Sequence, residues 1–204
     1  MTSPRPRRQM TPEEYLAFER RSRFKHEYVD GVVYAMSGTT RRHGKIVGNV
    51  YRRLWPAAKG GPCEVFVQDL KVHVDATKYY YPDVVAVCGP EDDDADVIPD
   101  PCLVVEVTSR STRATDHREK LIAYRKVPTL RAYLIVSHRE QVVDRHWRDA
   151  AGAWQHEVVT PESGGRVAAP CPETVLTLDA IYEGVTLLPR LRRIKEPPAS
   201  YTPG

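Results

Sequence analysis

The apolar positions of this chain change period along its length, and those changes mark its elements. Thr11, Pro12, Glu13 and Glu14 supply a capping hydroxyl, a proline at the first helical position and acids in the first turn, so a helix is expected to about residue 21. Two short apolar runs, 25–29 and 32–36, flank Asp30-Gly31, a hairpin signal. Ile46, Val47, Val50 and Leu54 are spaced as one helical face, predicting a helix over 43–55 that Pro56 ends. Strands then dominate: 65–67, 70–74 and, after a turn at 75–78, 79–87. A Pro- and Asp-rich loop over 89–101 leads into the near-continuous apolar run 102–107, read as a buried strand. A helix over 116–126, closed by Pro128, joins it to a second buried strand, 131–136. That βαβ unit requires the two strands to be parallel. The runs 142–147 and 154–160 form an antiparallel pair, and 173–182 reads as a last strand and short helix.

The expected fold class is therefore α/β (α+β), a mixed central sheet flanked by helices with extra antiparallel strands. One domain spans 11–185, between a disordered Pro/Arg-rich leader (1–10) and a Pro/basic tail (186–204). No apolar run is long enough for a membrane helix and no export signal is evident, so a cytoplasmic protein without membrane contact is expected. The four cysteines, Cys63, Cys88, Cys102 and Cys171, lack zinc-finger spacing. Cys88 and Cys102 read as small core residues, with a single disulfide left open.

Charge adds one feature. Residues 1–60 carry thirteen Lys or Arg against five acids, opposed by an acidic stretch at 91–96. A basic surface suits a phosphate backbone, and solvated helix faces explain it equally simply.

Two acids stand where strands disfavour them: Asp83 after Pro82, and Glu106 inside the run 102–107. A buried strand carboxylate needs an ion pair, hydrogen bonds or a cation. Two carboxylates with the Val107 carbonyl would make an all-oxygen site for Mg²⁺ or Mn²⁺. Such an ion can polarise a phosphoryl oxygen and acidify a water, with a nearby lysine steadying the charge.

Pro82-Asp83 followed by Glu106-Val107-Thr108 resembles the PD-(D/E)XK nuclease core. The wider set of residues is similar to the Uma-type restriction-endonuclease family: Tyr80 to Val87, Pro101 to Thr112, Asp116, Lys120 and Tyr124, with the lead-in Thr11 to Tyr15, Glu27, Asp30-Gly31 and His43. The likeness covers roughly residues 10–185. It implies a restriction-endonuclease-like fold and a divalent-metal-dependent endonuclease hydrolysing DNA, built as a homodimer. Asp83, Glu106 and Lys120 would be catalytic, and Glu27, His43 and Asp116 accessory. One departure stands out: Thr108 occupies the usual lysine position, and Lys120 on the following helix would replace it.

Each residue also has a plainer reading. Lys120 and Asp116 could form a surface ion pair. Glu27 could be an exposed hairpin acid beside Lys25, and His43 an exposed helical histidine. Ser109, Ser111 and Thr112 read as helix caps rather than nucleophiles. Tyr79, Tyr80 and Tyr81 could stack on bases or belong to the core. The alternative functions are an inactive nuclease-fold binder of nucleic acid and a dimeric interaction protein.

Overall fold

The computed structural model describes residues 9–36, 38–89, 93–108 and 116–187. Most of the expected leader and tail, the caps at 109–112 and the side chain of Asp116 lie outside these residues.

Helix α1 (Pro12–Glu19) begins with a complete capping box between Thr11 and Glu14, as the sequence signal requires. Strands β1 (His26–Val29) and β2 (Val32–Ala35) form the hairpin, with Asp30 (φ 47°) and Gly31 (φ 88°) both left-handed in its turn. Helix α2 (Arg41–Ala58) follows, capped by Thr40. Strands β3 (Cys63–Val67), β4 (Lys71–Asp75), β5 (Lys78–Tyr80), β6 (Val84–Cys88), β7 (Val97–Ile98) and β8 (Pro101–Thr108) come next. A π-helical turn, Asp116–Lys120, opens into α3 (Leu121–Tyr124). The chain ends with β9 (Ala132–Ser137), β10 (Val143–Arg148), β11 (Trp154–Val159), β12 (Arg166–Pro170), β13 (Glu173–Thr177) and α4 (Leu178–Ile181).

These strands make three sheets: a central one ordered β11-β10-β9-β8-β6-β3, a second ordered β2-β1-β5-β4-β7, and the β12-β13 hairpin. The expected parallel β8–β9 pair and antiparallel β10–β11 pair are both present. All eight residues of β8 are buried, because the central sheet is covered on both faces. On one face α2 lays Ile46, Val47, Val50, Leu54 and Ala58 against Val84, Ala86, Val105 and Val107. On the other, Val85, Val104 and Ile135 meet Tyr80, Tyr124 and Tyr133. A third cluster stacks Tyr15 on Tyr28, ring centroids 4.9 Å apart, and fixes α1 on the second sheet.

The structure corrects several expectations. Helix α2 runs past Pro56 to Ala58, with that proline on its exposed face. The expected strand 79–87 is two strands in different sheets. Pro82 has no N–H for a ladder, and Tyr81-Pro82-Asp83 carries the chain across between them. Asp83 therefore sits just before β6 rather than in it. The expected helix 116–126 is a π turn plus a short α segment. Strands β7 and β12, too short or too Pro- and Ala-rich to signal themselves, went unexpected. Tyr79, Tyr80 and Tyr81 are all buried, which removes them as stacking platforms. The cysteines are joined as two disulfides, Cys63–Cys88 and Cys102–Cys171, and Cys88 is exposed rather than a core residue.

Candidate active site

Register brings the two strand acids together. β6 and β8 are antiparallel with Val84 opposite Val105 and Val85 opposite Val104. Extending that pairing by one residue sets Asp83 opposite Glu106, on the face shared with Val85 and Val104. The backbone closes the arrangement: the Val107 N–H donates to Asp83 Oδ2 at 2.7 Å. On the other side of the tyrosine-proline crossing, the Gln68 N–H donates to the Asp83 carbonyl at 3.1 Å. Gln68 and Asp69 hold positive φ values of 50° and 71°, a conformation side chains disfavour, and both line the same cleft.

The lysine arrives from the helix that follows β8. Lys120 is only 5% exposed, and its Nζ donates to Glu106 Oε1 at 2.9 Å and to Glu27 Oε1 at 2.7 Å. It also lies 5.2 Å from the centre of the Tyr80 ring. Lys120 closes the π turn, a distortion that recurs at functional positions in helices. Glu27 comes from β1, in the second sheet, so this ion-pair cluster bridges the two sheets. Glu27 Oε1 further accepts the Tyr81 N–H at 3.4 Å. Thr108, where a lysine was expected, is buried and donates its hydroxyl to the Val136 carbonyl at 3.4 Å.

His43, at the start of α2, places Nε2 3.1 Å from Asp83 Oδ2. It is not the exposed helical histidine of the plainer reading. Its Nδ1 is buried without a protein partner. The tyrosines behind the site are held as neutral hydroxyls. Burial, then the charge of Glu119, pushes Tyr80 up, and burial, then Glu106, pushes Tyr124 up. The Tyr80 hydroxyl bonds Glu119 at 3.1 Å.

Glu27, His43, Asp83, Glu106, Val107 and Lys120 thus line one open cleft of about 750 Å³. The structure does not place the sixth candidate side chain, Asp116. Several contributors carried no sequence signal. Phe24 (74% exposed), Tyr34 and Met36 form an apolar rim. His138 contacts the Thr108 carbonyl through Nδ1 and also faces the cleft. Glu19, at the end of α1, is a buried carboxylate held by the His26 backbone N–H and ring and by the Tyr81 hydroxyl.

The basic residues are less available than their number suggests. Arg52 and Arg53 pair with Glu183, and Arg42 and Lys45 donate to the carbonyls of Thr186 and Gly184. Lys25, on the cleft rim, is paired with Asp69.

Asp83, Glu106 and the Val107 carbonyl offer oxygen, which suits a hard divalent cation, while His43 and His138 add ring nitrogens to the lining. Among the described residues, no third His, Cys, Asp or Glu joins Asp83 and Glu106 in a set of ligand atoms within 4.8 Å of one another. A cation here would rest on those two carboxylates and keep waters, as Mg²⁺ commonly does.

The sequence profile of the Uma2 family, described as "Putative restriction endonuclease", matches residues 12–179. The chain belongs to the Uma2 family. The match spans every residue of the cleft. This Uma2 chain is similar to two uncharacterized proteins of Synechocystis sp. One is 36% identical over 178 residues, 86% of this chain and 93% of the relative. The other is 29% identical over 149 residues, 68% of this chain and 84% of the relative. Its fold matches the crystal structure of a "putative nuclease" from Anabaena variabilis, with a TM-score of 0.73 over 87% of this chain and 99% of that one. At 16% identity that likeness concerns the fold alone. No helix among the described residues of the Uma2 chain is long and apolar enough to cross a membrane.

Proposed function

We propose that this protein is a divalent-metal-dependent endonuclease that hydrolyses DNA phosphodiester bonds in the cleft between its two main sheets. The observation that carries the proposal is the convergence of the Asp83 and Glu106 carboxylates and the Lys120 ammonium on one open cleft. Family membership supports the same reading.

Asp83 and Glu106, with the Val107 carbonyl, would hold Mg²⁺ or Mn²⁺. When bound, the cation supplies Lewis acidity toward a phosphoryl oxygen and lowers the pKa of a water. The remaining roles belong to the chain. Lys120 pairs with Glu27 and Glu106, offsetting one of their two charges, and places its ammonium beside the position where the phosphoryl group gains negative charge. The Val107 N–H and His43 fix the Asp83 carboxylate in one rotamer, so its orientation does not have to be found during turnover. Phe24, Tyr34 and Met36 offer flat apolar contacts for bases at the mouth of the cleft. A homodimer would give one such cleft for each DNA strand.

The test uses Glu106→Gln, which is close to isosteric. Cleavage of plasmid DNA in Mg²⁺ is expected to fall about 10²-fold or more, together with Mg²⁺-dependent thermal stabilisation, while the circular dichroism spectrum stays unchanged. A folded variant that cuts at the parental rate overturns the proposal. A parental protein that binds DNA but cuts none in Mg²⁺ or Mn²⁺ would instead be a binding module on a nuclease fold.

A further inference from the structure

All four cysteines of the chain gather at one corner of the fold, and they reach it from four separate segments. Cys63 opens β3, Cys88 ends β6, Cys102 lies at the start of β8, and Cys171 occupies the turn between β12 and β13. Cys63 and Cys88 are direct cross-strand partners. Beyond the two disulfides, Cys88 Sγ lies 3.3 Å from Cys102 Sγ and 3.0 Å from Cys171 Sγ. Cys63, Cys88 and Cys171 hold their sulfurs within 4.8 Å of one another, the only set of three or more metal-ligating groups so gathered among the described residues. Two independent disulfides need only two pairs. Cys102 Sγ stands outside that set of three, bonded to Cys171 and 3.3 Å from Cys88, and a tetrahedral cation would draw it toward Cys63 once the disulfides open. A Zn–S bond of about 2.3 Å sets sulfur–sulfur edges of about 3.8 Å, within the span of these separations.

We propose that the reduced cysteines form a tetrathiolate site for one Zn²⁺, and that the doubly disulfide-bonded state is its oxidised, metal-free counterpart. Four thiolates are soft donors, which select zinc over the hard cations suited to the carboxylate cleft. Reduction of each disulfide takes two electrons and two protons, supplied by a dithiol. The four thiols then release four protons to solvent as Zn²⁺ binds, leaving a site of charge −2. Arg131 and Arg148 line the depression over the cluster together with Asp100, Asp149 and Glu173, so protein groups would offset little of that charge. Oxidation by a small disulfide reverses the change. Two such molecules accept four electrons from the thiolates, leave as four thiolates, and free the ion.

The site is structural by its position. Cys102 begins β8 and Glu106 lies four residues on, about 13 Å along the strand. The ion would tie the ends of β3, β6 and β8 to the β12-β13 hairpin, in the region where Cys102 and Cys171 already enter the core. In a reducing compartment, where disulfides do not persist, it would replace them as the staple.

The test starts from full-length protein reduced with dithiothreitol without oxygen and freed of the reductant. Zn²⁺ and, separately, Co²⁺ are titrated against a chromogenic chelator. The expected result is roughly one Zn²⁺ per chain, a Co²⁺ spectrum with thiolate charge-transfer and tetrahedral bands, and release of the metal by excess oxidised glutathione. Cys88→Ser, at the exposed corner, should weaken zinc binding at least about 10-fold. Glu106→Gln should bind zinc as the parent does. Reduced, folded parental protein with four alkylatable thiols and no stoichiometric zinc overturns the proposal, whatever the variants do. So does iron with inorganic sulfide in place of zinc.

Discussion

Replacing Lys120 by methionine removes one charge while keeping most of the side-chain volume. The Lys120 ammonium is 2.7 Å from Glu27 and 2.9 Å from Glu106. The side chains are 7% exposed for Lys120 and Glu106 and 18% for Glu27. Solvent therefore screens the pair weakly, and taking away one partner leaves buried carboxylates facing each other. Breaking a buried pair in this way costs about 3–5 kcal/mol. For a domain of this size each kcal/mol moves the melting temperature by about 2–4 °C, so Lys120→Met should melt about 6–20 °C below the parent. That is a large share of the ~5–15 kcal/mol that holds a domain folded, yet the protein should remain folded at room temperature.

The proposed catalytic role makes a separate demand. Losing a charge that acts on the transition state lowers turnover by about 10²–10³-fold, so DNA cleavage per folded molecule must fall as well. Thermal unfolding by circular dichroism and plasmid nicking in Mg²⁺ at a temperature where both proteins are folded measure the two effects independently. Repeating the substitution in Glu106→Gln should reveal a coupling of about 0.5–3 kcal/mol, since the amide no longer needs the ammonium. A variant as stable as the parent refutes the buried pairing. A destabilised variant that cuts normally refutes the catalytic role and leaves Lys120 as a staple between sheets.

Two further outcomes follow from other parts of the fold. Leu54→Ala removes a fully buried side chain from the face of α2 that covers the central sheet, and should lower stability by about 2–5 kcal/mol in urea unfolding without changing metal dependence. Asp75→Asn tests the acid limb of stability. Burial pushes the Asp75 carboxyl up, but the Thr77 N–H and hydroxyl and the Lys78 ammonium together hold it below its ordinary value. Its contribution is thus complete above the unfolded carboxylate pKa of about 3.9 and is lost as pH falls through the depressed folded value. The parent should lose stability below about pH 4, and melting of the variant between pH 6 and pH 3 should show a shallower loss; an identical acid limb would remove Asp75 from the account.

The parts of the fold legible in the sequence are those written in local chemistry. Thr11-Pro12, Asp30-Gly31 and the apolar face of α2 each specify an element within a few residues. The βαβ unit follows from two apolar runs and the handedness of crossovers. What stayed hidden depends on partners distant in the chain. The division of 79–87 between two sheets turns on Pro82, but only the paired strands show where each half goes. Within the site, Asp83 and Glu106 are visible as acids in or beside apolar strand runs, and Lys120 through a family likeness. The contact of Lys120 with Glu27 links residues 93 positions apart, and no local pattern encodes it. The cysteines are the sharpest case. Their spacing excludes a local zinc motif, yet strand pairing brings Cys63, Cys88 and Cys102 to one corner of the central sheet, and the β12-β13 turn adds Cys171.

The charge balance of the cleft bears on how a nucleic acid could enter it. Glu27, Asp83 and Glu106 bring three carboxylates to the floor against one ammonium, while Arg42, Lys45, Arg52 and Arg53 are turned toward the C-terminal segment. A phosphodiester placed on such a floor meets net repulsion, and the nearest basic rim residue, Lys25, is already paired with Asp69. On the proposed reading, the acids that repel phosphate are the ones that hold the cation, so the cleft becomes receptive only when a divalent ion offsets them. The apolar rim of Phe24, Tyr34 and Met36 then has a definite use. Base stacking is insensitive to the sign of the floor and is worth about 1–3 kcal/mol per base. On that reading, an entrance built for stacking and a floor built from carboxylates would divide recognition from chemistry and make cation and DNA binding mutually dependent rather than additive.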